Sequence, residues 1–457
     1  MKYFKIILSL LLIISIEFIF NSNVNADSLN NKTSIYMWEV DDINYSAYND
    51  IINKLNINKI YAYVGTDNLD TRIDYEKQLL FEFAKENNIS TYLVYDENYE
   101  DQSENLSRIK EFIYEIKRYN ETANNKIKGL TIDSEFHSLP IYSSLSTSER
   151  KSLFNSFVNA MKEAKEYANS FDLEYVVCIP VWLNNLDQDL LDALIKDGSD
   201  YVQLMNYTKN NMVNNIQEEV AIAKAYNKPI ENIAEFQVPG PHEVTDAITF
   251  YNDGIDVANN KFKEIENNYN YSKLSFSYHY FKPILELMNN LYDYSNMYEY
   301  ELYPKDINNN SLNVKNVYLK SNNDIINGIY IYNNVSSEYI IHFYGLKYNE
   351  EYELVIDDNN YELLDKKTIK YSNGNRVLYD DAVFIEKEIN NIAPKTDDIG
   401  IIEENTNEDI NEEIKNIENP QTGNNITFYI LLYIVSIFGC ICLTIYNFIN
   451  SRKRFNK

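Results

Sequence analysis

Eight short apolar runs, each followed by an amphipathic stretch, most narrow what this chain can become. They read "SIYMWEV" (34–40), "KIYAYVG" (59–65), "STYLVYD" (90–96) and "KGLTID" (128–133). Then come "EYVVCIPV" (174–181), "DYVQLMNY" (200–207), "NIAEFQV" (232–238) and "KLSFSYHY" (273–280). Strands buried on both faces have this near-continuous hydrophobic character, because helices cover each side of a parallel sheet. The segments between them are helical in pattern. In "TSERKSLFNSFVNAMKEAKEYANSF" apolar residues recur every three or four positions, with Ser148 and Glu149 inside the start. Gly198 terminates "LDQDLLDALIKDG", and "KPILELMNNLYDY" (282–294) follows the eighth run. Eight such units within 27–295 predict an α/β chain folded as a (β/α)8 barrel, for which ~250 residues is usual. A doubly wound open sheet would seldom need eight units, and no Gly-rich nucleotide loop follows any run.

After 295 the pattern changes. "NVKNVYLKS", "IINGIYIYNN", "EYIIHFYGL" and "EEYELVID" predict antiparallel strands in a small all-β, sandwich-like domain over 296–372. "GLKYNEEY" places Leu346 and Tyr352 at the spacing of the Leu-to-Tyr corner that it resembles in fibronectin-like sandwiches. Residues 373–418 are acidic and poor in apolar residues, which predicts an extended spacer.

The two ends concern location. Residues 1–26 combine two early lysines, an apolar run and the small-residue site Val24-Asn25-Ala26, the pattern of a secretory signal peptide. Residues 419–457 begin with "NPQTG" (Asn419, Pro420, Gln421, Thr422, Gly423), continue with an apolar run long enough to span a bilayer, and close on a basic tail. That order resembles the sorting signal of Gram-positive surface proteins. The resemblance implies cleavage after Thr422 by a sortase, covalent attachment of Thr422 to peptidoglycan, and display on the cell wall. A net charge of −28 argues against nucleic acid as a partner. Cys440 and Cys442 lie in the apolar run, so Cys178 is left alone in the mature ectodomain, where a small buried core residue is expected.

Barrel enzymes carry their reactive groups at the C-terminal ends of the strands. Those positions hold Trp38, Glu39, Tyr95, Asp96, Asp133, Glu135, Trp182, Gln203, Asn206, Tyr207, Glu235, Gln237, His279 and Tyr280. Both tryptophans are among them, and an indole face suits the C–H face of a pyranose. Glycoside hydrolysis needs a carboxyl group kept protonated by burial or by a like-charged neighbour. Glu135 is the expected general acid, Asp133 the assisting neighbour, and Glu235 the nucleophile or second carboxylate. Trp38, Glu39, Asp96, Trp182, Gln203, Asn206, His279 and Tyr280 are expected to bind a polysaccharide or glycan. With four histidines and no H-x-H or H-x-x-x-H spacing, neither a metal nor a cofactor is expected.

"GLTIDSEF" resembles the strand-four signature D-x-x-D-x-D-x-E of chitinase-like family 18 glycoside hydrolases, and "LMNYT" is similar to their strand-six M-x-Y. The resemblance implies that Glu135 is the catalytic acid, Asp133 the assisting aspartate, and Tyr207 the tyrosine that positions a substrate acetamido group. Lys128 and Thr131 stand where the two earlier aspartates of that signature would be. Over most of 34–290, "GLTIDSE", "IPVWL", "VQLMNY", "IAEF" and "SYHY" also resemble bacterial secreted barrels of glycoside-hydrolase-like type. Two readings stay open: a wall-anchored glycoside hydrolase, and an inactive barrel that binds carbohydrate or mediates adhesion.

Overall fold

In the computed structural model of the protein, residues 33–387 are described, 67, 68, 323, 373 and 374 excepted. The expected signal peptide and the NPQTG signal with its apolar run lie outside the described residues. Among those described, no helix is long and apolar enough to cross a membrane.

The eight runs form eight parallel strands that close into a barrel: β1 Thr33–Met37, β2 Ile57–Ala62, β3 Ser90–Tyr95, β4 Gly129–Ile132, β5 Glu174–Pro180, β6 Tyr201–Met205, β7 Ile230–Glu235 and β8 Leu274–His279. Each pairs with the next, and β8 pairs with β1. Outward residues such as Ile35, Leu93, Leu130, Val177 and Leu204 join the helices in one apolar layer. Four of the helices begin on side-chain caps, Asn44, Asp74, Asp101 and Asp187, each accepting a backbone N–H of the first turn. The expected helix start at Ser148 and Glu149 is a capping box between Ser146 and Glu149.

The barrel interior is rich in tyrosine and polar groups where branched aliphatics would be usual. Tyr36, Tyr61, Tyr92 and Tyr201 fill it with Val94, Val176, Cys178 and Ile233. Phenol hydroxyls inside a core need partners, and a buried network supplies them. Tyr36 donates to Gln203 Oε1 at 2.9 Å, and the Tyr61 and Tyr201 hydroxyls lie 2.8 Å apart. Glu231 takes Ser34 and Gln203 at 2.8 Å each, Ser275 at 3.2 Å and the Lys59 ammonium at 3.6 Å. A buried carboxylate this well paired satisfies the conditions under which its desolvation is offset. Gly129 lets β4 and β5 approach closely: a Cβ there would lie 2.2 Å from the Glu174 carbonyl oxygen.

The remaining strands build two sheets. They are β9 Met297–Lys305, β10 Val317–Lys320, β11 Ile325–Asn327, β12 Ile329–Asn333, β13 Glu338–Lys347, β14 Glu351–Ile356, β15 Tyr361–Leu363, β16 Thr368–Lys370 and β17 Val377–Glu386. One sheet has the order β11-β10-β14-β16, the other β12-β13-β9-β17-β15. The Tyr352 hydroxyl accepts the Lys347 N–H at 3.1 Å, pinning the corner expected from Leu346 and Tyr352. The expected spacer start at 373 is corrected, because β17 belongs to the second sheet. Ala382 and Phe384 pack into the core of this region, and the neighbouring Asp380 and Asp381 had made the segment look like a spacer.

This β-region is fastened to the barrel. Glu299 accepts the Tyr45 N–H at 3.0 Å, at the first turn of the helix Tyr45–Lys54, and the Arg376 guanidinium at 2.8 Å. Arg376 also reaches the Ile43 carbonyl at 2.7 Å, and Gly345 N–H donates to Ser46 at 2.8 Å. His342 is enclosed between Glu299 (Nε2, 3.1 Å) and Glu301 (Nδ1, 3.4 Å).

Candidate active site

β4 runs out at Ile132, and the next three residues alternate as a strand would. Asp133 N–H still donates to the Tyr95 carbonyl at 2.7 Å, which extends the ladder by one residue. Ser134 turns outward and is buried, accepting from Asn105 on the helix Gln102–Thr122 at 3.1 Å. That anchor turns Asp133 and Glu135 toward the barrel mouth. The charges of both are felt at Cys178, Tyr207 and His279.

The two carboxylates differ in setting. Asp133 Oδ1 is buried with no hydrogen-bond partner. Burial, then the charge of Glu135, pushes the Asp133 pKa up to about 6, with His279 and Cys178 opposing. Glu135 keeps 32% of its side chain exposed. Its carboxylate accepts the Ser138 hydroxyl and lies 3.9 Å from His137 Nε2. Both residues are half-buried, but Asp133 has one oxygen shut off from solvent while Glu135 reaches it at the rim.

Across the mouth stand Trp38, His279 and Glu235. Trp38 Nε1–H donates to His279 Nε2 at 2.7 Å, and His279 Nδ1 lies 2.8 Å from Glu235 Oε2. An indole N–H can only donate, so Nε2 is the acceptor and the imidazole proton sits on Nδ1, directed at Glu235. Burial draws the His279 pKa down, but Glu235, Asp133 and Glu135 outweigh it and the net direction is upward. Protonating Nε2 would therefore require Trp38 to give way. Tyr207 lies over the imidazole with ring centroids 6.2 Å apart, and burial followed by Glu235 holds its phenol well above the usual range.

Several expected roles change. Glu235 is not free to be a nucleophile: its side chain is 4% exposed and both oxygens are engaged. Oε1 accepts the N–H groups of Phe236 and Gln237 at 2.8 and 2.6 Å, because the chain folds back over the carboxylate just past β7. Its role is to orient His279. Gln203 has no exposed surface and sits below the mouth, holding Tyr36, Thr131 and Glu231 together. Asn206 is buried between β6 and its neighbours, donating to the Met212 carbonyl and to Asn232 at 2.8 Å each. Glu39 lies on the exposed rim, 2.7 Å from Lys282. Burial raises the pKa of Asp96, whose charge reaches Asp133. Trp182 is 36% exposed and meets the edge of His137 at 5.2 Å. Tyr280 follows His279, with ring centroids 5.4 Å apart.

Two residues outside the expected set complete the mouth floor. Cys178, on β5, shares a hydrogen bond with Asp133, and Tyr36, on β1, packs at 5.3 Å against His279. Strand alternation could have found both, since Tyr36 lies two residues before Trp38 and Cys178 four before Trp182. Among the described residues, no group of three or more His, Cys, Asp or Glu is arranged to hold a metal ion.

A closed parallel barrel whose strand ends gather a carboxylate pair and aromatic faces is a (β/α)8 barrel with its candidate site where barrel enzymes carry theirs. No protein-family model matches this sequence, and no curated protein matches it. Among solved structures, a GH18 chitinase from Pseudoalteromonas aurantia is similar at 9% identity and TM-score 0.36, covering 55% of this chain and 94% of that one. A chitinase from Chromobacterium violaceum is 11% identical at TM-score 0.35, covering 57% and 98%. A D-psicose 3-epimerase from Clostridium cellulolyticum is 12% identical at TM-score 0.35, covering 58% and 92%. The barrel is established by its own strand pairing, and no chemistry is carried over from these proteins.

Proposed function

We propose that the barrel mouth belongs to a glycoside hydrolase acting on an extracellular polysaccharide or glycan. The observation that carries this reading is the Asp133–Glu135 pair: a carboxyl with one oxygen shut off from solvent, held up to about 6, beside a rim carboxyl that reaches solvent. In this reading Glu135 hands a proton to the leaving glycosidic oxygen as the C–O bond breaks, and then takes a proton from the water that adds to the anomeric carbon. Asp133, once ionised, stabilises positive charge developing at the anomeric carbon. Glu235 acts through His279, fixing the Nδ1–H tautomer that leaves Nε2 to accept from Trp38, and so holding Trp38 upright as a stacking face. The chain reaches its substrate from the cell wall, a location supported by the signal-peptide pattern and by Asn419–Gly423 with the apolar run and basic tail behind them. Sortase is then a transient partner, and peptidoglycan a covalent one through Thr422.

A second reading, a carbohydrate-binding or adhesive module without turnover, is favoured by one observation. Thr131, at one of the two missing-acid positions, donates to Gln203 in the buried network. Release of reducing ends from a glycan panel separates the two. Glu135→Gln is expected to abolish release while leaving glycan binding and the thermal midpoint nearly unchanged. Binding of a glycan by the native protein with no turnover of any bound glycan would establish the second reading.

A further inference from the structure

The protein has two tryptophans, and the barrel sets them on facing sides of its mouth. Trp38 follows β1 by one residue, and Trp182 follows β5 by two. In a closed ring of eight strands in chain order, β1 and β5 are four places apart in either direction. The two indoles therefore rise from opposite walls.

Their surroundings differ. Trp38 is half-buried, packs on the tyrosine-rich barrel interior and is held by His279. Trp182 is 36% exposed and belongs to none of the apolar clusters formed by the described residues, so core packing does not account for it. It is nonetheless held in place. The His137 ring stands nearly perpendicular to it at 5.2 Å, and the Tyr142 ring lies 6.5 Å away. The loop that carries both is fastened to the helix Thr147–Asn169. Phe136 stacks on Phe154 with centroids 5.4 Å apart, and Arg150 donates to the carbonyls of Tyr142 and Ser143 at 3.1 and 3.0 Å. The same guanidinium lies 4.8 Å over the Tyr142 ring. An aromatic side chain fixed by its neighbours and still open to water can receive an apolar face at little entropic cost.

The two carboxyls divide between these sides. Glu135 stands on the side of Trp182, with one imidazole between them: His137 is 3.9 Å from the carboxylate and 5.2 Å from the indole. Asp133 is felt on the other side. Its charge reaches Tyr36, and His279 and Tyr207 feel it more than that of Glu135. On the hydrolase reading, on which this inference rests, that division fixes how a glycan lies. The anomeric carbon belongs beside Asp133, toward Trp38. The oxygen that takes the Glu135 proton leaves with the sugar on the Trp182 side, and water adds to the anomeric carbon in its place.

We propose that the mouth takes a glycan chain lengthwise from β1 to β5, with sugar units on both tryptophans and the reducing end toward Trp182. Linkages inside a chain are then cut, and Trp182 selects a leaving group that is itself a sugar. Having two tryptophans allows each side to be watched alone. In full-length Glu135→Gln, which consumes nothing, Trp38→Phe leaves Trp182 as the sole indole and Trp182→Phe leaves Trp38. Each is titrated with chitohexaose, cellohexaose, mannohexaose and isomaltohexaose, with emission excited beyond the tyrosine band; Trp38→Tyr gives a second version of the first variant. At least one hexasaccharide is expected to shift the emission of both indoles. The same sugar tagged at its reducing end with anthranilate is expected to accept more energy from Trp182 than from Trp38. A response from one indole only, from neither with all four sugars, or stronger transfer from Trp38 would overturn the proposal. A response from both indoles with no release of reducing ends by the native protein would remove the hydrolase reading and leave the two-sided site standing.

Discussion

His279 at the barrel mouth and His342 at the seam are both enclosed by the fold and both face glutamate carboxylates, yet their second ring nitrogens meet opposite chemistry. Both nitrogens of His342 look at acceptors, Glu299 at 3.1 Å and Glu301 at 3.4 Å. Burial draws its pKa down, but the two glutamates outweigh it, so the protonated form is favoured. At His279 one nitrogen meets Glu235 and the other meets the Trp38 donor, so the tautomer is fixed with the proton on Nδ1, and protonation, which Glu235 favours here as well, must displace Trp38. The same residue pair thus acts as an electrostatic fastener in one place and as an aligned support in the other. What decides between them is the polarity of the third group.

The comparison can be broken most directly by deletion. His342→Ala would leave Glu299 with Arg376 and the Tyr45 N–H, and Glu301 with only the Tyr75 and Tyr303 hydroxyls, a loss expected to cost about 3 kcal/mol in urea unfolding. His279→Ala should cost only about 1–2 kcal/mol, because Glu235 keeps its two backbone donors, while turnover at the mouth is lost. Equal destabilisation by the two would show that the contrast does not hold.

Asp133→Asn sharpens it from the mouth side. A carboxyl whose folded pKa is raised from 3.8 to about 6 contributes stability below the lower value and loses it as pH rises through the higher one. At neutral pH its ionised form is a cost, so the amide is expected to raise stability by about 1–2 kcal/mol and to abolish turnover. A lower thermal midpoint for this variant would contradict that sign.

The seam has its own pH window. His342, raised above 6.5, contributes stability that is lost as pH rises through its folded pKa. Burial, then Glu301, pushes Glu76 up to about 7, so its contribution is lost in the same direction. Unfolding free energy should fall as pH rises from 4.5 through about 7 and on through the raised His342 pKa, and Glu76→Gln should flatten the lower part of that fall by about 1 kcal/mol per pH unit. A slope unchanged in the variant would remove Glu76 from the account. The smallest effect belongs to Trp38→Phe, which keeps a ring face but frees His279 Nε2. The His279 pKa, followed by NMR titration, should rise further.

The barrel was legible because strands buried on both faces must be continuously apolar, and all eight runs became strands in order. Depth within the barrel was not legible. Gln203 and Tyr207 lie on one face of the same segment, but the first is two pairs below the mouth, where its amide is needed by Tyr36 and Glu231. Starting the seventh run at Asn232 hid Ile230 and Glu231, and with them the carboxylate that organises the interior. Asp133 and Glu135 could be read because period-two alternation holds past the strand end. The engagement of Glu235 could not, since it depends on how the chain turns after β7. His342 gave no sequence signal, as its partners come from another strand of a different pattern.

The parallel pairing of β17 with β9 has a mechanical side. It runs from Val377 opposite Glu299 to Val383 opposite Lys305, and the last three residues of β17 then pair antiparallel with β15. A chain held by its C-terminal end, as the sorting signal implies, would transmit tension along β17 in the direction of the strands. In that orientation neighbouring hydrogen bonds are sheared together instead of being peeled one after another. Under such a tether the β-region would be the joint that takes the tension before the barrel does.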